Sequence, residues 1–360
     1  MVKTLEYYYN IHNKLIIRSN KKIALPYYAE NYFRVSKKDN VDLSITIKKH
    51  FPLDYGESKK SRFTFFGEHN KKYVLEKISF LRTTTKLLLK DLLGKTEVIV
   101  NPAYYRVRKV PLYTVRTFVQ TIGSIILFKM LQKGCTFLHS ACLSKDDFGI
   151  LLPAFPDTGK TLTTLLSCYS TNSRKNNSLQ YLADDLTLID NSGMAYGSPG
   201  SFRLKDLRRA NIKSGAKLEG MRQIFGKIAG YLYKLPYVPI QITSIDKIEA
   251  RNLGIQTKEK TKIKLVCLLE KGKEKMKEIS LDEAVRRIYT LQRNEFYYFP
   301  CPSLLAYSYF NRDIDLRKIM DEEREIILNS MKSAICYSIS SMDSQRYHIL
   351  LKKLLAKFTD

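Results

Sequence analysis

Three short stretches hold residue types that could act together on a phosphate. The first is Pro153-Ala154-Phe155-Pro156-Asp157-Thr158-Gly159-Lys160-Thr161, which follows the apolar run Ile150-Leu151-Leu152 and opens a helical pattern. Backbone N–H groups at a helix N-terminus point at an anion and add the positive end of the helix dipole. Gly159 lets the chain come close to phosphate oxygens. Lys160 supplies a mobile charge for the β- and γ-phosphates, and the Thr161 hydroxyl can ligate Mg²⁺. The spacing is that of the loop G-x-x-x-x-G-K-S/T, with Ala154 in place of the first Gly. Alanine keeps such a loop only if φ is negative at that position. Ala154, Phe155, Pro156, Asp157, Thr158, Gly159, Lys160 and Thr161 are therefore the candidate nucleotide-binding residues.

The second stretch is Asp184-Asp185, set inside the apolar run from Tyr181 to Ile189. Burial and like charge both penalise two adjacent carboxylates there. A continuous strand would send them to opposite faces. Phosphoryl transfer has a use for both, one to hold Mg²⁺ and one to orient or deprotonate an acceptor hydroxyl. The third stretch is Phe137-Leu138-His139-Ser140-Ala141. Each has a plain structural explanation: a turn with a solvated lysine, a strand end with two hydrated aspartates, a satisfied core histidine. Their occurrence in one chain, in this order, weighs against it.

The order strand with His, hairpin, phosphate loop, helix, strand with Asp-Asp resembles the catalytic domain of HPr kinase/phosphorylase and its relatives, which share a fold with phosphoenolpyruvate carboxykinase. That family has a His-containing strand, then G-D-S-G-x-G-K-S, then a small residue followed by D-D. The present chain reads H-S-A-C-L, A-F-P-D-T-G-K-T and A-D-D-L-T-L-I, with His139 fifteen residues before Ala154. The likeness covers residues 112–210 and extends to 360 in rhythm. It implies a kinase that uses ATP and Mg²⁺. Lys160 would bind the transferred phosphate, Thr161 and Asp184 the metal. Asp185 would be the general base, and His139 would support the Asp and phosphate network. The family's downstream metal-binding Glu and catalytic Arg have no one-to-one counterpart, although Arg203, Lys205, Arg208 and Arg209 follow the Asp pair. Phosphorylase activity is not carried over, and neither is HPr as the acceptor.

Strands and helices must hold these groups. Periodicity predicts strands over 135–143, 149–153, 181–190, 238–245, 262–269 and 334–339, with 194–197 a hairpin partner. It predicts helices over 112–133, 159–169, 281–292, 313–329 and 342–358, and a solvated loop over 171–178. The helix over 112–133 carries one apolar face and is framed by Pro111 and Gly134. This alternation predicts a mixed α/β catalytic domain over 111–360. Residues 1–110 read as a β-rich accessory region, with short strands over 13–18, 41–49, 62–66, 72–75 and 98–101.

Composition narrows the partners. A net charge of +26 favours anions without choosing among nucleotide, nucleic acid, acidic protein or membrane surface. Residues 201–235 are basic, but in the helix expected over 218–234 the charges are scattered around an apolar pattern, which disfavours nucleic acid. Six scattered cysteines without C-x-x-C, and five histidines without H-E-x-x-H, argue against zinc and a disulfide framework. Asp147-Phe148-Gly149 spells a protein-kinase motif without its companions and falls in a hairpin turn. No run reaches the roughly 18 uncharged apolar residues of a membrane span, and no signal-peptide core opens the chain. The expectation is a cytoplasmic kinase acting on a protein Ser/Thr or small-molecule hydroxyl, with a homo-oligomer left open. The alternatives are a nucleotide- or nucleic-acid-binding module without chemistry, and an NTPase that drives a partner.

Overall fold

The computed structural model describes residues 5–23, 33–51, 63–80, 83–107, 118–169, 179–198, 200–212, 247–295 and 301–358. The strand expected over 238–245, the basic helix over 218–234, the loop over 171–178 and the start of the helix over 112–133 lie outside the described residues. The helices used below are α1 (Pro102–Val107), α2 (Phe118–Leu131), α3 (Lys160–Cys168), α4 (Leu204–Arg209), α5 (Leu281–Glu295), α6 (Pro302–Phe310), α7 (Leu316–Met331) and α8 (Arg346–Ala356). The chain is mixed α/β and divides into two compact units. One holds Met1–Lys133 and Tyr297–Asp321, the other Gly134–Ile228, Thr243–Phe296 and Glu322–Asp360.

The N-terminal unit is built on β1 (Tyr7–Ile11), β2 (Leu15–Ser19), β3 (Arg34–Val35), β4 (Leu43–Ile47), β5 (Phe63–Phe66), β6 (Tyr73–Phe80), β7 (Thr83–Lys90) and β8 (Thr96–Val100). Their spatial order is β3-β1-β2-β4-β8-β7-β6-β5. Among the described residues only β2–β4 and β4–β8 are parallel pairs in this sheet. The unit is larger than residues 1–110, because α2 and α6 belong to it. In α2 the one-faced pattern is not what decides burial: nearly every described side chain is buried, Lys129 included. The Lys129 ammonium donates to the carbonyl oxygens of Leu92 and Gly94 at 3.3 and 2.8 Å. Burial lowers its pKa. A helix that is apolar around most of its surface is a core helix.

The second unit carries the three motifs. Its strands are β9 (Cys135–Leu138), β10 (Ser140–Lys145), β11 (Phe148–Pro153), β12 (Gln180–Ala183), β13 (Thr187–Asp190), β14 (Met194–Tyr196), β15 (Ser201–Arg203), β16 (Lys247–Glu249), β17 (Lys260–Glu270), β18 (Lys275–Glu278) and β19 (Ile335–Ser340). The main sheet runs β12-β10-β11-β17-β14-β13-β9, and β17 also pairs with β19, which pairs with β18. β11, β17 and β19 are parallel neighbours. Alternate residues of β10 and β11 feed two cores. Ala141, Leu143, Ile150 and Leu152 pack with α3 and α8 through Leu165, Leu350 and Leu354. Cys142 and Leu151 pack with α5 and α7 through Val285, Ile288 and Ile327. Helices on both faces explain why these strands are apolar on both sides. All six cysteines are buried free thiols. No helix of the described residues is long and apolar enough to cross a membrane.

Two predicted strands are corrected. The run over 135–143 is broken at His139 into β9 and β10, and the run over 181–190 is broken at Asp184-Asp185 into β12 and β13. Apolar periodicity continues through both breaks, so sequence alone reads each as one strand. The pairing partners change there: β10 joins β11 and β12, whereas β9 joins β13.

Candidate functional site

The two broken strands run side by side. Leu138 lies opposite Thr187 and Cys142 opposite Ala183, so the antiparallel register is the same on both sides of the gap. Between those pairs the ladder opens. Backbone carbonyls in the opening are taken by side chains: Thr187 Oγ1 donates to Ser140 O at 2.9 Å and Ser198 Oγ to Leu186 O at 2.7 Å. The opening frees His139, Asp184 and Asp185 from the strict alternation of a strand. Both carboxylates can then turn toward the phosphate loop, which a continuous strand would forbid.

The loop is carried by the carboxyl end of β11 and the start of α3. Ligands of open α/β sheets gather at this end of the parallel strands. Ala154 is buried, bridges in parallel to Leu269, and is not among the positive-φ residues. An extended backbone at this position accepts a Cβ, so alanine satisfies the condition set by the motif. Phe155, Pro156 and Asp157 are exposed, and Thr158 is buried. Asp157 has φ 57° and Gly159 φ 122°. A Cβ at Gly159 would stand 2.7 Å from Ser344 Cβ, so glycine is required there twice over. Among the described residues no side chain caps the N-terminus of α3. Its first N–H groups are the kind that bind anions.

Lys160 reaches across to the opening. Its Nζ lies 2.9 Å from His139 Nε2 and donates to Asp185 Oδ1 at 3.0 Å. His139 Nε2 is itself 3.2 Å from Asp185 Oδ1. A single ring nitrogen can accept from the ammonium or donate to the carboxylate, not both, so the three groups share their protons. Lys160 is buried, whereas the Asp185 side chain is 61% exposed and open to a second reactant. Burial works to raise the Asp185 pKa, but the His139 hydrogen bond and the Lys160 charge override it and hold the carboxyl well below its ordinary range. Asp184 behaves oppositely. Burial, with the Asp185 charge and against the Lys160 charge, raises it to about 6.

Thr161 Oγ1 donates to Asp184 Oδ2 at 2.8 Å. Asp184 Oδ1 is buried with no hydrogen-bond partner. A buried, unpaired carboxylate oxygen beside a hydroxyl is a donor set suited to a hard cation. Among the described residues no group of three His, Cys, Asp or Glu is placed to hold a metal by itself.

The structure thus brings together His139, Lys160, Thr161, Asp184 and Asp185 from β9–β10, α3 and the β12–β13 break. Other candidates are not joined to them. Arg203, Lys205, Arg208 and Arg209 are exposed on and before α4, and no described contact links them to this cluster. Asp147 is solvated and pairs with Lys258 at 3.0 Å, so the Asp-Phe-Gly tripeptide is a hairpin turn. Sequence reasoning missed two neighbours. Ser344 Oγ donates to Thr158 O at 3.2 Å, and Gln292 Oε1 accepts from the His139 N–H at 2.9 Å. Neither lies in a motif, and nothing in their spacing announces them. No protein-family model and no curated protein matches the chain.

Proposed function

We propose that the chain is an ATP- and Mg²⁺-dependent kinase of the HPr-kinase-like kind, passing a γ-phosphoryl group to a hydroxyl of a protein Ser/Thr or a small molecule. The observation that carries this reading is the contact of Lys160 and His139 with Asp185 within 3.2 Å, at the mouth of an uncapped helix. A buried cation at a helix N-terminus suits a phosphate. A carboxylate that is open to solvent beside it suits an incoming hydroxyl.

Each side chain then has a task. The α3 N-terminus and Lys160 hold the phosphates. Thr161 and Asp184 would hold Mg²⁺, which supplies charge neutralisation between the β- and γ-phosphates. The acceptor oxygen forms a bond to the γ-phosphorus as the bond to the β-bridging oxygen breaks, ADP departs, and the hydroxyl proton passes to Asp185. While Lys160 rests on Asp185 the carboxylate is a weak base. Phosphate oxygens that draw the ammonium away remove part of what suppresses its proton affinity. His139 keeps Asp185 oriented during that exchange.

The test is transfer of label from γ-labelled ATP in cell lysate, resolved into protein and small-molecule fractions, with Asp185→Asn as control. Label on an acceptor, lost in Asp185→Asn, is expected. Label released only as free phosphate would favour an NTPase, and full transfer by Asp185→Asn would end the general-base assignment.

A further inference from the structure

We propose that Gln292 is a positioning residue of this site, its side chain standing in for a missing β-strand and setting where His139 stands. The inference rests on the kinase reading above. β9 has β13 on one side, through Leu138–Thr187 and Phe137–Leu188. On its other side the amide of Gln292 takes two backbone groups at once. Gln292 Oε1 accepts from His139 N–H at 2.9 Å, and Nε2 donates to Phe137 C=O. A neighbouring strand residue makes the same pair of bonds with its own N–H and C=O.

The place matters more than the bonds. His139 is one residue beyond Leu138, the last pair before the ladder opens. Its ring must leave the sheet there to meet Lys160 and Asp185. Cross-strand pairing no longer holds the backbone at that point, and the bond from α5 does. Gln292 is 1% exposed, so water does not compete for either group.

An amide could turn over and present the wrong ends. The two backbone partners prevent this: an N–H only donates and a carbonyl only accepts, so Gln292 must turn its NH₂ group to Phe137 and its oxygen to His139. Beside it the buried carboxylate of Glu323 on α7 accepts from Thr136 Oγ1 at 3.1 Å and is paired with Arg293. A helix on one face of the sheet thereby positions the ring that meets Lys160. The phosphate loop, Lys160 and Thr161 have no described contact with Gln292. Its loss should slow the chemical step and leave nucleotide binding nearly intact.

The test uses the full chain with ¹⁵N-labelled histidine, the His139 ring signal being assigned by its loss in His139→Gln. Gln292→Leu removes both bonds at similar volume. The expected result is a moved His139 ring resonance, a fall in kcat for ATP turnover of about 10- to 100-fold, and a KM for ATP within about twofold of the parent. Gln292→Asn, which keeps the amide but is one methylene too short to span both backbone groups, should give a smaller change of the same kind, and it carries the same readouts should Gln292→Leu not fold. A lowered melting temperature with an unmoved resonance and unchanged kcat would overturn the proposal and leave Gln292 a structural residue. So would a loss confined to KM. Absence of nucleotide turnover in the parent chain would count against the kinase reading, and the His139 resonance would still decide the role of Gln292.

Discussion

Lys160→Met separates a phosphate site from a structural ion pair. Lys160 is 7% exposed, and its ammonium lies 3.0 Å from Asp185 Oδ1 and 2.9 Å from His139 Nε2. Methionine keeps an unbranched stem in the same space and deletes the charge. The effect on stability depends on what Asp185 is left with. In a sealed pair, removing one partner costs about 3–5 kcal/mol, because the other charge is stranded. Here the Asp185 side chain is 61% exposed, and water can replace the lysine. The cost should fall to the scale of a surface pair, about 0–1 kcal/mol. Nucleotide binding, in contrast, loses a charge-assisted hydrogen bond of about 1.5–3 kcal/mol. At about 1.4 kcal/mol per factor of ten, that is a roughly 10- to 100-fold weaker Kd. Urea unfolding and calorimetric titration with ATP and Mg²⁺, run on the same preparations, measure the two quantities. A small stability change with a large affinity loss is expected. Unchanged affinity would refute the assignment of Lys160 to phosphate, and a stability loss above about 3 kcal/mol would show that the pair is a closed structural one.

Further outcomes follow from the same geometry. Asp184 has its pKa raised from 3.8 to about 6, so the metal-free fold favours its protonated form. That contribution is present at low pH and is lost as pH rises through about 6. Asp184→Asn should therefore stabilise the metal-free chain at pH 7.5, by up to about 3 kcal/mol, and the advantage should shrink to below about 1 kcal/mol near pH 4. Thermal unfolding in EDTA at both pH values checks this, and an equal advantage at both would contradict it. The same variant should weaken the Mg²⁺ dependence of nucleotide binding. Gly159→Ala meets both a positive φ and the Ser344 Cβ at 2.7 Å. It should lower stability by about 1–3 kcal/mol and abolish nucleotide binding, and Ser344→Gly should restore only part, because it relieves the contact but not the backbone strain.

Local signals carried far in this chain. The helix expected over 159–169 appears as Lys160–Cys168, with Gly159 and Tyr169 as its caps. The strand over 149–153 appears as Phe148–Pro153, and that over 262–269 as Lys260–Glu270. These elements announce themselves because apolar runs, Gly and Lys-Thr at a junction are local features. The helix over 342–358 begins later than its pattern, at Arg346, because Ser341 and Asp343 form a turn instead, with Asp343 Oδ1 accepting from the Gln345 N–H. Strand β7 and helix α6 were not foreseen. β7 reads Thr-Thr-Thr-Lys-Leu-Leu-Leu-Lys, a block of polar residues followed by a block of leucines without the alternation of a strand, and α6 mixes apolar residues and serines around its whole circumference, so neither shows a period.

The sequence by itself determined which groups could do chemistry and in what order they occur: a phosphate loop, a histidine before it and two aspartates after it. It also determined the α/β rhythm that carries them, because neighbours along a chain set helix starts, turns and apolar faces. Only the tertiary structure decided that His139 and the Asp pair fall where a shared ladder opens, since a break in pairing depends on which strands lie alongside. It alone decided that Asp185 stays open to solvent while Lys160 is buried, and that Gln292, 153 residues away, holds His139. Contacts at such separation leave no periodic trace, because they are made by packing elements whose spacing along the chain is arbitrary.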